Sequence, residues 1–338
     1  MKVVPIYEMT IYNAFLVFII FSVIGWISEV IFVGLFVEHK FVNRGFLHGP
    51  LCPIYGFGGL VILLLPSRLY STWIPLFLAS MVLCTVVEYF SSWILEKLFH
   101  TLWWDYSKVP LNIHGRVCLL MSVLFGFLGL FVIRFAMPHI VNILNSIGMV
   151  WAKRFALIIL AIMLVDVTLT VRKLVDFRTA LVKIKEFGES LKTRYGKEEW
   201  FKGNTISEMI TSIEAQDKSG KEKIHPQLME SIKKLQQKHP TIERFLLRFP
   251  TIRSRVYPES MNLLKHHFLL RQEKAKENPS PSPTERLVLT IPFSEISIAS
   301  LKKRFISYLL LFYLKDYIIL CKVLSTKDFI KTSTIFLT

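Results

Sequence analysis

The chain has 338 residues, 52% of them hydrophobic and 13% aromatic, with mean hydropathy +0.46, a composition that soluble domains rarely reach and that favours a membrane protein. Its net charge of +16 is uneven: residues 1–171 carry 10 Lys and Arg against 7 Asp and Glu, residues 172–278 carry 23 against 14, and the remainder 8 against 4. A basic region behind an apolar one suits a cytosolic segment facing anionic lipid, and with no recognisable reading helix the charge does not describe a nucleic-acid binder.

Taken in order, Tyr12 to Val37 forms the first apolar run, with one charge, Glu29. It is long enough to cross the hydrocarbon at about 1.5 Å per residue. It is too long for a cleaved leader and is expected to stay as an anchor. Phe46 to Pro66 is the second expected span, interrupted by Pro53, Gly56, Gly58 and Gly59. The stretch Asn43 to Leu60 as a whole holds two prolines and five glycines between apolar runs. Glycine and proline weaken helices, and lipid offers the freed backbone groups no water. Irregular backbone here is expected only against protein or a wet cavity, which makes this stretch the first place to look for function.

Trp73 to Phe99 is the third span, with Glu88 inside it. The loop Leu102 to Arg116 follows, where Trp103, Trp104 and Tyr106 suit the headgroup level of a bilayer. Val117 to Met137 is the fourth span, Pro138 to Trp151 an interfacial segment or loop, and Phe155 to Val175 the fifth span, with Asp166 inside it. The basic residues after span five place that region in the cytosol. Five spans then put the amino terminus outside and both polar loops, at 38–49 and 98–116, inside.

Beyond the spans, Asp176 to Tyr195 shows a helical stripe of Phe177, Leu181, Ile184, Phe187 and Leu191. Ile206 to Ile213, Gln227 to Gln237 and Thr241 to Phe249 read as further short helices divided by prolines. Asn278 to Thr284 is a Pro/Ser linker, and Phe305 to Leu324 reads as an interfacial helix rather than a sixth span. The expected architecture is thus all-α: a transmembrane domain over 1–176 with five helices, a basic helical cytosolic region over 177–278, and a linker with an atypical tail over 279–338. Cys52, Cys84, Cys118 and Cys321 form no Cys-x-x-Cys pair and read as free thiols.

The first two spans and the next two share an arrangement, with a carboxylate in the first helix and His-Gly-x-x-Cys opening the second: His48 to Cys52 and His114 to Cys118. That pattern describes a parallel repeat. The three carboxylates within spans, Glu29, Glu88 and Asp166, each cost a few kcal/mol in lipid and call for a partner or a hydrated cavity. Arg44 and Arg116 are the expected partners. Two readings stay open: structural Glu–Arg pairs that pin the broken helix, or a polar vestibule built from Glu29, Asn43, Arg44, His48, Glu88, Asp105, Asn112, His114, Arg116 and Asp166 that binds a charged substrate or relays protons. No helical metal-ligand spacing, no Gly-x-Ser-x-Gly and no phosphate-binding Gly-x-x-x-x-Gly-Lys-Ser/Thr loop occurs. No cofactor is expected, and enzymatic chemistry on lipid or envelope precursors, with Glu29 or His48 as acid or base, is the secondary alternative, beside a regulatory or scaffold role.

Gly25-Trp26-Ile27-Ser28-Glu29, the run Asn43-Arg44-Gly45-Phe46 to Gly56, Trp104-Asp105-Tyr106-Ser107, Asn112 to Cys118 and Arg248 to Ser254 resemble the signature of the type IV ABC-transporter permease family, bacterial multi-pass membrane proteins. The resemblance covers residues 9–275. It implies a permease component of the cell membrane that pairs with a separate ATP-hydrolysing subunit, and with so few spans per chain it implies a homo-oligomer around any path.

Overall fold

The computed structural model describes residues 4–36, 43–201, 203, 205–219, 226–236 and 240–277. The expected linker, the interfacial helix expected over Phe305 to Leu324, Cys321 and residues 37–42 lie outside them. The described chain is mostly helical: α1 (Ile11–Phe36), α2 (Pro53–Ile62), α3 (Ile74–Phe99), α4 (Leu119–Phe131), α5 (Met137–Ile147), α6 (Met149–Tyr195), α7 (Ile206–Ser219), α8 (Pro226–Gln236), α9 (Pro240–Arg248) and α10 (Pro258–Glu277). One small antiparallel hairpin, β1 (Asn112–Ile113) and β2 (Val117–Cys118), pairs Asn112 with Cys118.

Among the described residues four helices are long and apolar enough to cross a membrane: Ile11–Phe32, Ile74–Phe99, Leu119–Ile147 and Met149–Tyr195. The expected second span is shorter than its apolar sequence promised. Pro53 sits in the first turn of α2, where its missing N–H costs nothing, and the helix runs only ten residues. Asn43 to Cys52 ahead of it is irregular. A second correction concerns Pro138 to Trp151. The helical run of α4 continues through a π turn at Val132–Ala136 into α5 and stops only at Gly148, whose φ is 74°.

Helix α6 is 47 residues long and serves two cores. Its first turns supply Ala152 and Ala156 to a cluster with Leu16, Val17, Phe21, Ile62, Leu63, Leu76, Ile133 and Met137. Its second half supplies Leu174, Phe177, Leu181, Ile184 and Leu191 to a cluster closed by α7 to α10. This is the stripe read from the sequence, now seen wrapped by the basic region. We call the side on which α7 to α10 lie the lower side.

Small residues set the spacing between the apolar helices, as expected where lipid provides no hydrophobic drive. A Cβ on Gly25 would stand 2.2 Å from the Tyr55 ring, one on Gly59 2.2 Å from Phe21, and one on Gly129 2.3 Å from the Ser80 Cβ. Aromatic–cation pairs mark both ends of the slab. At the upper end the Arg134 guanidinium lies 4.5 Å from the Trp73 ring, and Lys153 lies 5.6 Å from Tyr12. At the lower end the Lys97 ammonium lies 6.0 Å from the Trp93 ring. Trp73 and Trp93 are twenty residues apart along one helix, roughly 30 Å at 1.5 Å per residue, which matches a hydrocarbon core.

Candidate functional site

Two irregular loops rise from the lower side to meet the starts of α2 and α4. Cys52 immediately precedes α2 and Cys118 immediately precedes α4, so both His-Gly-x-x-Cys runs do open a helix. The Cys52 N–H donates to the Ser22 carbonyl at 3.0 Å. Helix α2 therefore begins against Ser22, roughly 16 Å along α1 from its upper end.

The first loop is held on three sides. Asn43 Oδ1 accepts from the Trp26 indole N–H (2.8 Å) and from its own loop at Gly45 N–H (2.9 Å), an Asx-type turn. Asp166 on α6 accepts the backbone N–H groups of His48 and Gly49, both at 2.8 Å, and lies 3.1 Å from His48 Nδ1. Lys173, two turns further along α6, places Nζ 2.6 Å from His48 Nε2, and Thr170 Oγ1 lies 3.0 Å from Nδ1. With Lys173 donating to Nε2, the tautomer that fits is Nδ1–H toward Asp166. Burial holds the His48 imidazole below its ordinary pKa; the Asp166 hydrogen bond opposes this, while the charges of Arg244 and Lys173 add to it. From below, Arg248 Nη1 donates to the carbonyls of Gly45 (2.6 Å) and Leu47 (2.8 Å), Arg244 Nη2 reaches Leu47 O at 3.2 Å, and Arg44 returns a bond to the Arg248 carbonyl.

Two of the three expected carboxylates have a tyrosine partner. The Tyr55 hydroxyl donates to Glu29 Oε1 at 2.7 Å, and the Tyr106 hydroxyl to Glu88 Oε1 at 3.2 Å. Arg44 Nε stands 3.9 Å from Glu29 Oε2. Glu88 is only 5% exposed, and its Oε2 has no hydrogen-bond partner among the described residues. Burial pushes the Tyr106 phenol up, and the Glu88 carboxylate to which it donates adds to this.

The second loop departs from expectation. Arg116 pairs through its guanidinium with Glu96, not with Glu88, and its backbone carbonyl accepts from the Trp104 indole N–H (2.8 Å). Trp103 is 1% exposed and packs edge-on against Phe46, Phe245 and Phe249. It is therefore interior to the lower core rather than at a headgroup belt, and Tyr106 is spoken for by Glu88. Asp105 takes the Ser107 N–H (2.9 Å) and an ion pair with Arg253 (3.0 Å). Asn112 closes the hairpin, donating to Val109 O (2.7 Å) and accepting from Gly115 N–H (3.0 Å). His114, exposed and at φ 54°, faces the Tyr89 hydroxyl at 3.1 Å.

The structure thus pairs Glu29 with Arg44 and Tyr55, sets Glu88 against Tyr106, and gathers Asn43, His48 and Asp166 around the first loop. Asp105, Asn112, His114 and Arg116 shape the second loop, each with its own local partner. Tyr55, Thr170, Lys173, Arg244, Arg253 and Arg255 belong to the same network, and the sequence reading did not single them out. Among the described residues no group of three or more His, Cys, Asp or Glu side chains could hold a metal ion.

A family model described as "Putative ABC-transporter type IV" matches residues 16–171. The match runs from α1 into α6 and contains all ten candidate residues. The α9–α10 arginines that brace the loops lie outside it. No curated protein and no solved structure matches the chain.

Proposed function

We propose that this ABC-transporter-related membrane protein is the permease component of a transporter, multi-pass in the cell membrane, with the amino terminus outside and the region after the last span cytosolic. The family match supports the transporter class. The observation that carries the site is the pair of carboxyl–phenol contacts, Glu29–Tyr55 and Glu88–Tyr106, on the two apolar helices that lead into the irregular loops. A carboxyl group between apolar helices is costly to place and marks a pathway or binding group by default. The broken α2 supports the same reading, since discontinuous helices put helix ends and irregular backbone at the centre of a transport site.

In this reading Glu29 and Glu88 contact the substrate or its counter-charge, Arg44 balances Glu29, and the loop wall of Asn43, His48 and Asp166 keeps the centre in shape. Asp105, Asn112, His114 and Arg116 hold the second loop against it. The chain carries no phosphate-binding loop, so ATP hydrolysis belongs to a separate subunit docked on the basic side, and two or more copies of this chain enclose the path. Affinity isolation from the native membrane tests the assignment. A co-purifying ATPase with a phosphate-binding loop, present at fixed stoichiometry, is the expected result. Its absence from repeated isolations in several mild detergents would overturn the permease role.

A further inference from the structure

The hairpin of β1 and β2 buries Val117 and Cys118 on its second strand but leaves the apolar side chains at its first strand turned outward. Leu111 is 73% exposed and Ile113 55% exposed. Leu111 also adopts a φ of 54°, a left-handed conformation that leucine rarely takes. Its carbonyl accepts the Leu119 N–H at 3.1 Å, which seats Leu111, the tip of the loop at the open end of the hairpin opposite the turn at 114–116, beside the first residue of α4.

The register of α3 and α4 fixes how deep that is. Thr85 on α3 donates to Ser122 on α4 at 2.7 Å, and Leu119 lies about one turn lower, near the level of Glu88. The Tyr89–His114 contact ties the other side of the hairpin to the same level. Glu88 lies roughly 22 Å below Trp73, and Trp93 roughly 30 Å below it. The tip is therefore inside the two aromatic–cation belts, not beyond the lower one. Above it, the exposed stripe of α4 continues through Leu119, Leu120, Leu124, Phe127 and Phe131. The tip extends a lipid-facing surface without a break.

We propose that Leu111 and Ile113 insert among the acyl chains of the lower leaflet, so that the hairpin is a re-entrant membrane element. Amphipathic segments hold such positions through buried apolar area, with cations at the headgroups. Lys108, exposed three residues before Leu111, supplies such a cation. The insertion does not depend on the permease assignment. It explains why a loop rich in polar contacts spends two of its most exposed positions on leucine and isoleucine.

Nitroxide labels on L111C and I113C test it, in the full chain reconstituted into vesicles of phosphatidylethanolamine and phosphatidylglycerol, with the wild-type chain giving the background from native cysteines. V86C, on the exposed apolar face of α3, serves as the lipid reference and E198C as the aqueous one. The expected result is collision with oxygen severalfold favoured over collision with a water-soluble nickel chelate at Leu111 and Ile113, as at Val86. Nickel accessibility equal to that at Glu198 would place the tip in water and overturn the proposal. Shielding from both reagents would assign the tip to a protein partner and overturn it equally. Should either single variant fail to accumulate, the other carries the measurement alone.

Discussion

His48 is the residue whose protonation the surrounding groups resist most visibly. It faces Asp166, Thr170 and Lys173 from α6 and feels Arg244 from α9. A second ring proton would take away the lone pair that accepts from Lys173 and add a cation beside two others, with Asp166 alone to balance them. Its folded pKa is lowered from 6.5, so on acidification the unfolded chain takes up the proton first. Stability from this source is complete above about pH 6.5, falls as the pH drops from there toward the folded value, and is flat below it. Thermal unfolding in detergent between pH 7.5 and pH 5.5 should therefore show a steeper loss for the wild type than for H48Q, in which no ring titrates. Parallel curves would mean that the His48 ring adds no pH-dependent stability to the loop. The sequence made Asp166 visible, because a charge within an apolar run demands an explanation. It could not make Lys173 visible as the partner of His48, since a contact between an irregular loop and a distant helix leaves no periodic trace.

At the scale of elements, the second expected span shows why hydropathy overstates helix length. Phe46 to Pro66 is apolar throughout most of its length, yet the prolines and glycines decide its conformation: α2 begins at Pro53 and runs ten residues. The missing part of the span is filled by loop backbone whose polar groups are met by Asp166, Arg244 and Arg248, which is how irregular chain survives at this depth. The opposite error occurred at Pro138, read as an end of helix. Proline in the first turn of α5 is tolerated because the π turn at Val132–Ala136 has already rearranged the preceding bonds. The glycines of α2 and α4 were correctly conspicuous, but their purpose is packing as much as breaking. Gly129 is the clearest case, since an added methyl would meet the Ser80 Cβ, an atom that cannot move without α3. Gly129→Ala should therefore part α3 from α4 and cost on the order of 1–3 kcal/mol, read as a lowered unfolding midpoint. Gly148→Ala meets no neighbouring atom, though its φ of 74° disfavours alanine, so the two variants separate packing cost from backbone cost. An unchanged midpoint for Gly129→Ala would show that the α3–α4 contact is slack.

For the whole molecule, the division into an apolar part and a basic helical part was legible in the charge distribution, but the way they join was not. The sequence assigned Trp103, Trp104 and Tyr106 to a membrane surface because aromatic clusters beside spans usually lie there. Instead Trp103 fills the lower core between Phe46, Phe245 and Phe249. The segment between α9 and α10 then crosses both loops. Arg253 exchanges two backbone bonds with Leu102 (2.8 and 2.9 Å), Ser254 Oγ donates to the His100 carbonyl, and Arg255 reaches Glu96 and the His114 carbonyl. Together with Arg248 on the first loop, this segment braces the two irregular stretches, to which the proposed polar centre belongs, from the lower side. The spans themselves owe it little, because their cluster is built from α1 to α6. A chain ending before Pro240 should therefore still insert, while losing Phe245, Ile252 and Met261 from the lower core and every brace from α9 onward. Limited proteolysis in vesicles, with a chain ending at Glu277 as the reference, should reveal new cleavage within 43–52 and 100–116 and leave the apolar helices protected. If the shortened chain kept both loops resistant, the membrane helices alone would hold them in place, and coupling between the basic region and the polar centre would have to take another route.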